Sequence, residues 1–356
     1  MFVQRLLFRP IYALAVVLLL LLVACGSAAQ QPAASSPDVA EPTTAAVEGE
    51  VIRIGFSAWP GWIPWQVAVE QGLFEANGVN VEMVWFEGYL DSLNALATGQ
   101  LDGNTQTLND TISSVAAGDD QVVVLVNDNS TGNDQVIVRT DINDVTDLAG
   151  KTIAAELGAV SHFLLLLGME EAGLSADDIT FQPMETGAAA SAFAAGQVDG
   201  VAVFAPFTTM ALSTDEGKVL FSSADFPGAI PDFLVVSREL VEERPDDVQR
   251  IVDTWYDTLD YIEANPDEAY AIMAKRAGVS VEEYREYDEG TTIFTVEDNL
   301  EAFTPGDTMA HLPYAAERIA TFLLDNELIE AKPDLTNLFD DQFVQAHADQ
   351  QSMLAE

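Results

Sequence analysis

The chain has 356 residues, 49% of them apolar and 20% charged, and its 58 Asp and Glu against 14 Lys and Arg give a formal net charge of −44. So acidic a chain is a poor partner for nucleic acid. The charge reads as a solvated surface suited to a salty or extracytoplasmic setting, and by itself it names no cationic ligand. The single cysteine, Cys25, leaves no intramolecular disulfide available.

Met1 to Ala24 carries Arg5 and Arg9, then an apolar run from Ile11 to Val23, and stops at Leu22-Val23-Ala24-Cys25. This is the pattern of a secretory signal ending in a lipobox. The run is shorter than the roughly 20 apolar residues of a spanning helix, so a retained membrane helix is the alternative. Cys25, directly after small residues, is expected to carry a lipid rather than to act as a catalytic thiol. Residues 1–24 are therefore expected as a lipoprotein signal peptide. Residues 25–50, rich in Ala, Ser, Thr, Pro and Gln without apolar periodicity, are expected as a lipidated flexible tether.

Val51 to Phe56 predicts a first strand, followed by a Trp/Pro/Gly loop and a helix over Pro64 to Glu75. Asn80 to Phe86 predicts a second strand and Leu90 to Thr98 a helix. Gln121 to Asn127, apolar without interruption over Val122 to Val126, has the composition of a strand buried on both faces. A second unit repeats the pattern: a strand at Lys151 to Glu156, an apolar helix over Ser161 to Gly173, and strands near Ile179 to Met184 and Val198 to Phe204. Strands alternating with helices imply a parallel α/β sheet.

The two units share a trace. Ala95-Leu96-Ala97-Thr98-Gly99-Gln100-Leu101-Asp102-Gly103 matches Ala192-Phe193-Ala194-Ala195-Gly196-Gln197-Val198-Asp199-Gly200 at six of nine positions. Convergence on helix-stop chemistry would give the same glycines and Asp-Gly turns, so duplication and convergence both remain open at this point. Beyond Arg238 the chain is helical. Val248, Ile251, Val252, Trp255, Leu259 and Ile262 share one face of a helix over Pro245 to Asn265 and read as core. Pro266 starts another helix, and further helices are expected near Val281 to Glu289 and Leu312 to Leu328.

Several segments together resemble the nitrate, sulfonate and taurine family of ABC solute-binding proteins, whose relatives include thiamine-pyrimidine-synthase-like proteins. The carriers are Ile54-Gly55-Phe56-Ser57-Ala58-Trp59 with Pro64 and Gly72-Leu73-Phe74; Ala97-x-Gly99-Gln100-x-Asp102; Asp147-Leu148-Ala149-Gly150-Lys151-Thr152-Ile153-Ala154; and Ala195 to Gly200. The resemblance implies an α/β fold of the periplasmic-binding-protein type II, with two Rossmann-like lobes, a ligand buried between them and a chain that crosses the hinge twice. On that basis the crossings are expected near Gln135 to Thr140 and Asp232 to Ser237, with 51–139 and 234–356 in one lobe and 140–233 in the other. It also implies closure of the lobes on a solute, an ABC permease and its ATPase as partners, and an extracytoplasmic place, anchored to a membrane through Cys25.

Ligands of open parallel sheets sit at the carboxyl ends of the strands. The cleft loops are then Ser57 to Trp62, Glu87 to Tyr89, Thr105 to Asp110, Asn127 to Asp134, Glu156 to His162, Glu185 to Gly187, Phe204 to Phe207 and Asp225 to Asp232. No Lys or Arg lies in them. An anion such as nitrate or a sulfonate would be met by Arg, Lys or a free helix N-terminus. Helix starts at Asn109 and Ser161 remain available, and Arg139, Arg238 or His162 could swing inward.

Acids, amides and aromatics fill the same loops. Trp59, Trp62, Glu87, Asn109, Asp110, Asp128, Asp134, Glu156 and Phe204 are the candidate ligand-binding residues. Aromatic faces with carboxylates suit a planar cation, so the expected solute is guanidine or a related amidinium or urea-like compound. Nitrate, a sulfonate, taurine or a thiamine-pyrimidine-type ligand is the alternative. Plainer roles exist for each residue: Trp59 and Trp62 as surface packing beside a turn, Asp128 and Asp134 as a solvated hinge loop, Asp110 as a helix cap, His162 as a satisfied helix-start residue.

Nothing points to catalysis. There is no G-x-S-x-G elbow, H-E-x-x-H or P-loop, and no cofactor is expected. One enzyme reading survives as a lesser alternative, a thiamine-pyrimidine-synthase-like enzyme, although the fungal relatives that make the thiamine pyrimidine use a cysteine-rich motif that this chain lacks. Asp141-x-Asn143 to Asp147 is similar to a calcium loop, but Thr146 and Thr152 stand where its Gly and Glu belong, so no metal site is expected. A lipid-anchored sensor or adhesin without a transporter is the remaining class.

Overall fold

A computed structural model describes residues 49–354. The expected signal, Cys25 and all but the last two residues of the expected tether lie outside the described residues. Eleven strands form two sheets: β1 Ile52–Phe56, β2 Val81–Trp85, β3 Gly103–Thr107, β4 Gln121–Ser130, β5 Asp134–Arg139, β6 Thr152–Ala155, β7 Thr180–Pro183, β8 Gly200–Phe204, β9 Gly217–Ser222, β10 Pro231–Ser237 and β11 Thr291–Ile293. The first sheet runs β11-β4-β10-β3-β1-β2 and the second β7-β6-β8-β5-β9.

The two sheets share one strand order. In each, the first strand (β1 or β6) lies between its second and third, all parallel, and an antiparallel strand (β10 or β5) follows beside the third. That antiparallel strand is the one the chain enters on arriving from the other sheet. The crossings therefore fall at 131–133, between β4 and β5, and at 223–230, between β9 and β10. Both lie upstream of the positions expected from sequence. Gln135 to Arg139 is already in the second sheet, paired with β8 and β9, and Asp232 to Ser237 is already in the first, paired with β3 and β4. The strand β4 also runs to Ser130 rather than Asn127, because its polar last residues pair with β10 and β11 in a buried environment.

Helices cover both sheets: α1 Pro64–Glu70, α2 Leu73–Ala76, α3 Tyr89–Ala97, α4 Leu108–Ala117, α5 Val160–Glu171 and α6 Thr186–Ala194, with the C-terminal helices after Arg238. The helix expected from Pro64 to Glu75 is broken in two, since Gly72 adopts φ +67°, a left-handed conformation that stops α1. Trp255 on the helix Pro245–Ala264 packs its ring 4.8 Å from that of Trp65 on α1, both fully buried. Val248, Ile251 and Val252 join that core, while Leu259 and Ile262 are only partly buried.

The nine-residue repeat occupies equivalent places in the two sheets. Gly99 and Gly196 end α3 and α6 with φ +70° and +75°. Asp102 then accepts the backbone N–H of Arg53 at the start of β1 (2.7 Å), and Asp199 accepts that of Thr152 at the start of β6 (2.8 Å). Helix-stop chemistry accounts for the glycines but not for this return bond to the first strand, which favours duplication of one unit. Among the described residues no helix is long and apolar enough to cross a membrane.

Hydrogen bonds to a charged acceptor contribute about 1.5–3 kcal/mol when well shielded, and Asp199 is half-buried. Asp199→Ala should therefore destabilise the protein by about 1–2 kcal/mol, read as a lowered urea midpoint at unchanged slope. An unchanged midpoint would remove the return bond from the forces that hold β6.

Candidate ligand site

The chain turns sharply after β1. The N–H groups of Trp62 and Ile63 both return to the Trp59 carbonyl (3.0 and 3.3 Å), which sets Trp59 and Trp62 on one side of Pro60-Gly61. Gly61 is required there: a Cβ would stand 1.9 Å from Oδ2 of Asp128. From outside, Tyr284 donates its hydroxyl to the Pro60 carbonyl (2.8 Å) and ties the loop to the C-terminal helices.

Four rings close into a box. Trp59 and Trp62 lie 6.5 Å apart, Trp62 and Tyr89 5.3 Å, Tyr89 and Phe204 6.4 Å, and Phe204 and Trp59 6.2 Å, measured between centroids. Three rings come from the first sheet's side and Phe204 from the end of β8 in the second. Thr107, Asp134, Val160 and Asp232 complete the lining, and the enclosed cavity is about 10 Å³, close to the room needed for one water. All eight lining residues fall in loops or strand ends expected at the cleft.

Carboxyl groups gather round this box. Asp232 on β10 is the direct ladder partner of Asp128 on β4 and of Thr107 on β3, and Asp134 on β5 is the ladder partner of Phe204. Asp128 accepts the indole N–H of Trp59 through Oδ1 (2.9 Å). Its Oδ2 and the Oδ2 of Asp232 are buried without a hydrogen-bond partner among the described residues, as are both side-chain polar atoms of Asn127. Asp110 accepts from Thr107 (2.8 Å) and from Asn109 (3.0 Å).

The backbone N–H of Val160, the first residue of α5, lies against the Asp110 carboxyl and favours its ionised form. A carboxyl of the chain thus sits at the helix start that an anionic ligand would use. Glu156, at the end of β6, accepts from Thr186 (3.1 Å).

Not every candidate reaches the cavity. Trp59, Trp62, Asp134 and Phe204 line it; Asn109, Asp110, Asp128 and Glu156 are buried as well, without being part of its wall. Glu87 is corrected: it is exposed and accepts the Trp85 indole N–H (2.9 Å), because the chain turns outward at Phe86 to Gly88 before α3. Asp232 was missing from the candidates, hidden in a strand that reads as the hinge. Its signal was a carboxylate just after Pro231, at the edge of a fully apolar run.

No basic side chain faces these acids among the described residues. Arg139 bonds the carbonyls of Phe193 and Val198 and lies over the Phe193 ring. Arg238 pairs with Asp120 (2.6 Å). Burial pushes His162 down to about 4, so it is neutral, and it stacks on Phe181 at 4.3 Å. The acidic run near Asp141 serves the backbone: Asp144 accepts from Thr146 N–H (2.9 Å) and Asp147 from Asn143 N–H (3.0 Å).

Burial pushes Asp110, Asp134 and Glu156 up to about 7, and Asp128 and Asp232 well above the ordinary carboxylate range. A carboxyl whose pKa is raised on folding adds stability that is complete below its unfolded pKa and lost as pH rises through the folded value. His162 acts oppositely, losing its contribution as pH falls below about 6.5, but it is one group against several. The ligand-free protein should therefore lose stability from about pH 4 to about pH 7, and further above that through Asp128 and Asp232, seen as falling urea midpoints. Asp134→Asn should flatten that slope; a slope unchanged by this substitution would place the titration on the acidic surface instead.

The family model described as "NMT1/THI5 like" matches residues 59–269, and the chain belongs to that family. A putative binding protein of Brucella abortus is 26% identical over 79% of this chain and 88% of its own length. A putative aliphatic sulfonates-binding protein of Escherichia coli is 26% identical over 80% of this chain and 87% of its own. The crystal structure of the periplasmic aliphatic sulphonate binding protein from Escherichia coli superposes with a TM-score of 0.68 at 24% identity, covering 82% of this chain and 92% of that one. The two-lobed type II binding-protein fold expected from sequence is the fold of the chain.

Proposed function

We propose that this NMT1/THI5-like chain is the solute-binding component of an ABC importer, held outside the cytoplasm by a lipid on Cys25, and that its solute is a small, planar, nitrogen-rich cation such as guanidinium or an amidinium. The permease and ATPase of the importer are its partners, and it catalyses nothing. The importer role is supported by family membership and by relatives named as binding proteins over four-fifths of the chain.

The cation rests on one observation: a four-ring box, which must widen from about 10 Å³ to admit it, bordered by buried carboxyls with no basic side chain facing them among the described residues. Each ring face attracts a cation by about 0.5–2 kcal/mol. The unpartnered oxygens of Asp128, Asp232 and Asn127 then demand N–H donors, because buried acceptors left unmet cost about 1–3 kcal/mol each, while the unpartnered N–H groups of Trp62 and Asn127 call for an acceptor such as water beside the solute. A quaternary ammonium would satisfy the rings and not the oxygens. The relatives named for sulfonates raise the alternative of an anion. Against it stand the neutral His162, the distant arginines and the Asp110 carboxyl at the start of α5.

Guanidinium at low millimolar concentration, far below denaturing levels, should raise the melting temperature; a ligand at 100 times its Kd adds about 2.7 kcal/mol. Tetramethylammonium, taurine, alkanesulfonates and nitrate should do far less, and Trp62→Ala should weaken guanidinium binding at least about tenfold. Stabilisation by a sulfonate or nitrate but not by guanidinium would overturn the cation reading. Separately, Cys25→Ala should move the expressed chain from the detergent phase to the aqueous phase on partitioning; an unchanged partition would mean that Cys25 carries no lipid.

A further inference from the structure

We propose that Asp128 and Asp232 form a proton-for-cation exchanger: with the cavity empty the pair shares one proton, and arrival of the cation drives that proton into solvent. This rests on the cationic reading of the site. The two residues are direct partners across the antiparallel β4–β10 ladder, beside a register shift that leaves Asn127 unpaired, and the two carboxyls are close enough for each to raise the other's proton affinity. Both are essentially inaccessible to solvent, and each presents one oxygen with no hydrogen-bond partner among the described residues.

The groups facing them add negative charge or none. From α4 comes Asp110, from β5 Asp134, from α3 the Tyr89 hydroxyl and from the C-terminal helices that of Tyr284. From the loop after β1 comes only the neutral indole N–H of Trp59. Two desolvated carboxyls side by side cannot both ionise without a counter-charge. The empty pair therefore keeps a proton, and with one proton shared between the two carboxyls its net charge is −1.

The exchange balances. One carboxyl O–H bond breaks, its electron pair stays on the oxygen, and the proton passes to water. The pair, now −2, holds a cation of +1, so the net charge of the site is the same before and after. A binding protein built this way takes up its solute more tightly as pH rises and lets it go in acid. With one proton exchanged, the association constant rises about tenfold per pH unit while the empty pair remains protonated.

The test is calorimetric titration of guanidinium chloride into the full chain in detergent, at several pH values and in phosphate and Tris buffers, whose ionisation enthalpies differ. The expected result is about one proton released per cation bound, with affinity that climbs with pH. Asp232→Asn should abolish the release and flatten the pH profile, while the surface substitution Asp177→Asn, at an exposed carboxylate, retains both. Guanidinium binding with buffer-independent heats and constant affinity in the parent protein would overturn the exchanger and leave the cationic reading standing. Absence of guanidinium binding at every pH would overturn both, and the parent's proton count decides the matter even if Asp232→Asn does not fold.

Discussion

Two carboxyl groups, on β5 and β10, line a space about the size of one water, and two more, on β4 and α4, are buried close behind them, with no basic side chain facing any of the four among the described residues. Burying charge without a counter-charge is among the most costly arrangements a protein can adopt. The chain tolerates it because three of the acids sit on paired strands and Asp110 accepts from Thr107 and Asn109, and because protonation relieves the repulsion. Everything else near the cleft fits this constraint. The rings exclude water and offer negative faces, Gly61 yields its side-chain space to Asp128, and Asn109 with Thr107 orients Asp110.

The scaffold that brings these groups together is a unit used twice. Each copy places its first strand centrally and accepts an antiparallel strand from the other lobe, so the two crossings stitch the sheets into one body. That exchange explains why the acids cluster: β5 and β10, the two exchanged strands, bring Asp134 and Asp232 to the interface from opposite directions of chain travel. A single unexchanged sheet would leave one acid of each pair elsewhere. The return bonds of Asp102 and Asp199 are the repeated local device that holds each helix end to its first strand.

Relatives 26% identical to this chain carry names that refer to sulfonates, and the fold is common to both. Solute preference lies in a handful of positions where loops meet, and fold similarity leaves it open. In this chain the helix start at Val160, a natural anion site, faces the carboxyl of Asp110.

Much of this was legible in the linear sequence. Alternating strand and helix patterns, the doubled Gly-Gln-x-Asp-Gly trace and the strand-end rule located every lining residue within an expected cleft loop, since local periodicity and parallel-sheet topology are properties of short segments. Glu87 stands apart from the box, its carboxyl accepting the Trp85 indole N–H, a contact that no local pattern foretells. The crossings were displaced because an exchanged strand has the same apolar composition as one that stays at home. The sequence by itself determined the leader pattern, the α/β class, the repeated nine-residue trace and the poverty of cations in the expected cleft loops, while the return bonds of Asp102 and Asp199 decided between duplication and convergence. Only the tertiary structure decided that Asp128 and Asp232, far apart in the chain, stand side by side. It alone decided that four rings close into a box and that Asp110 meets the start of α5. Those are consequences of strand exchange, which brings distant segments into register.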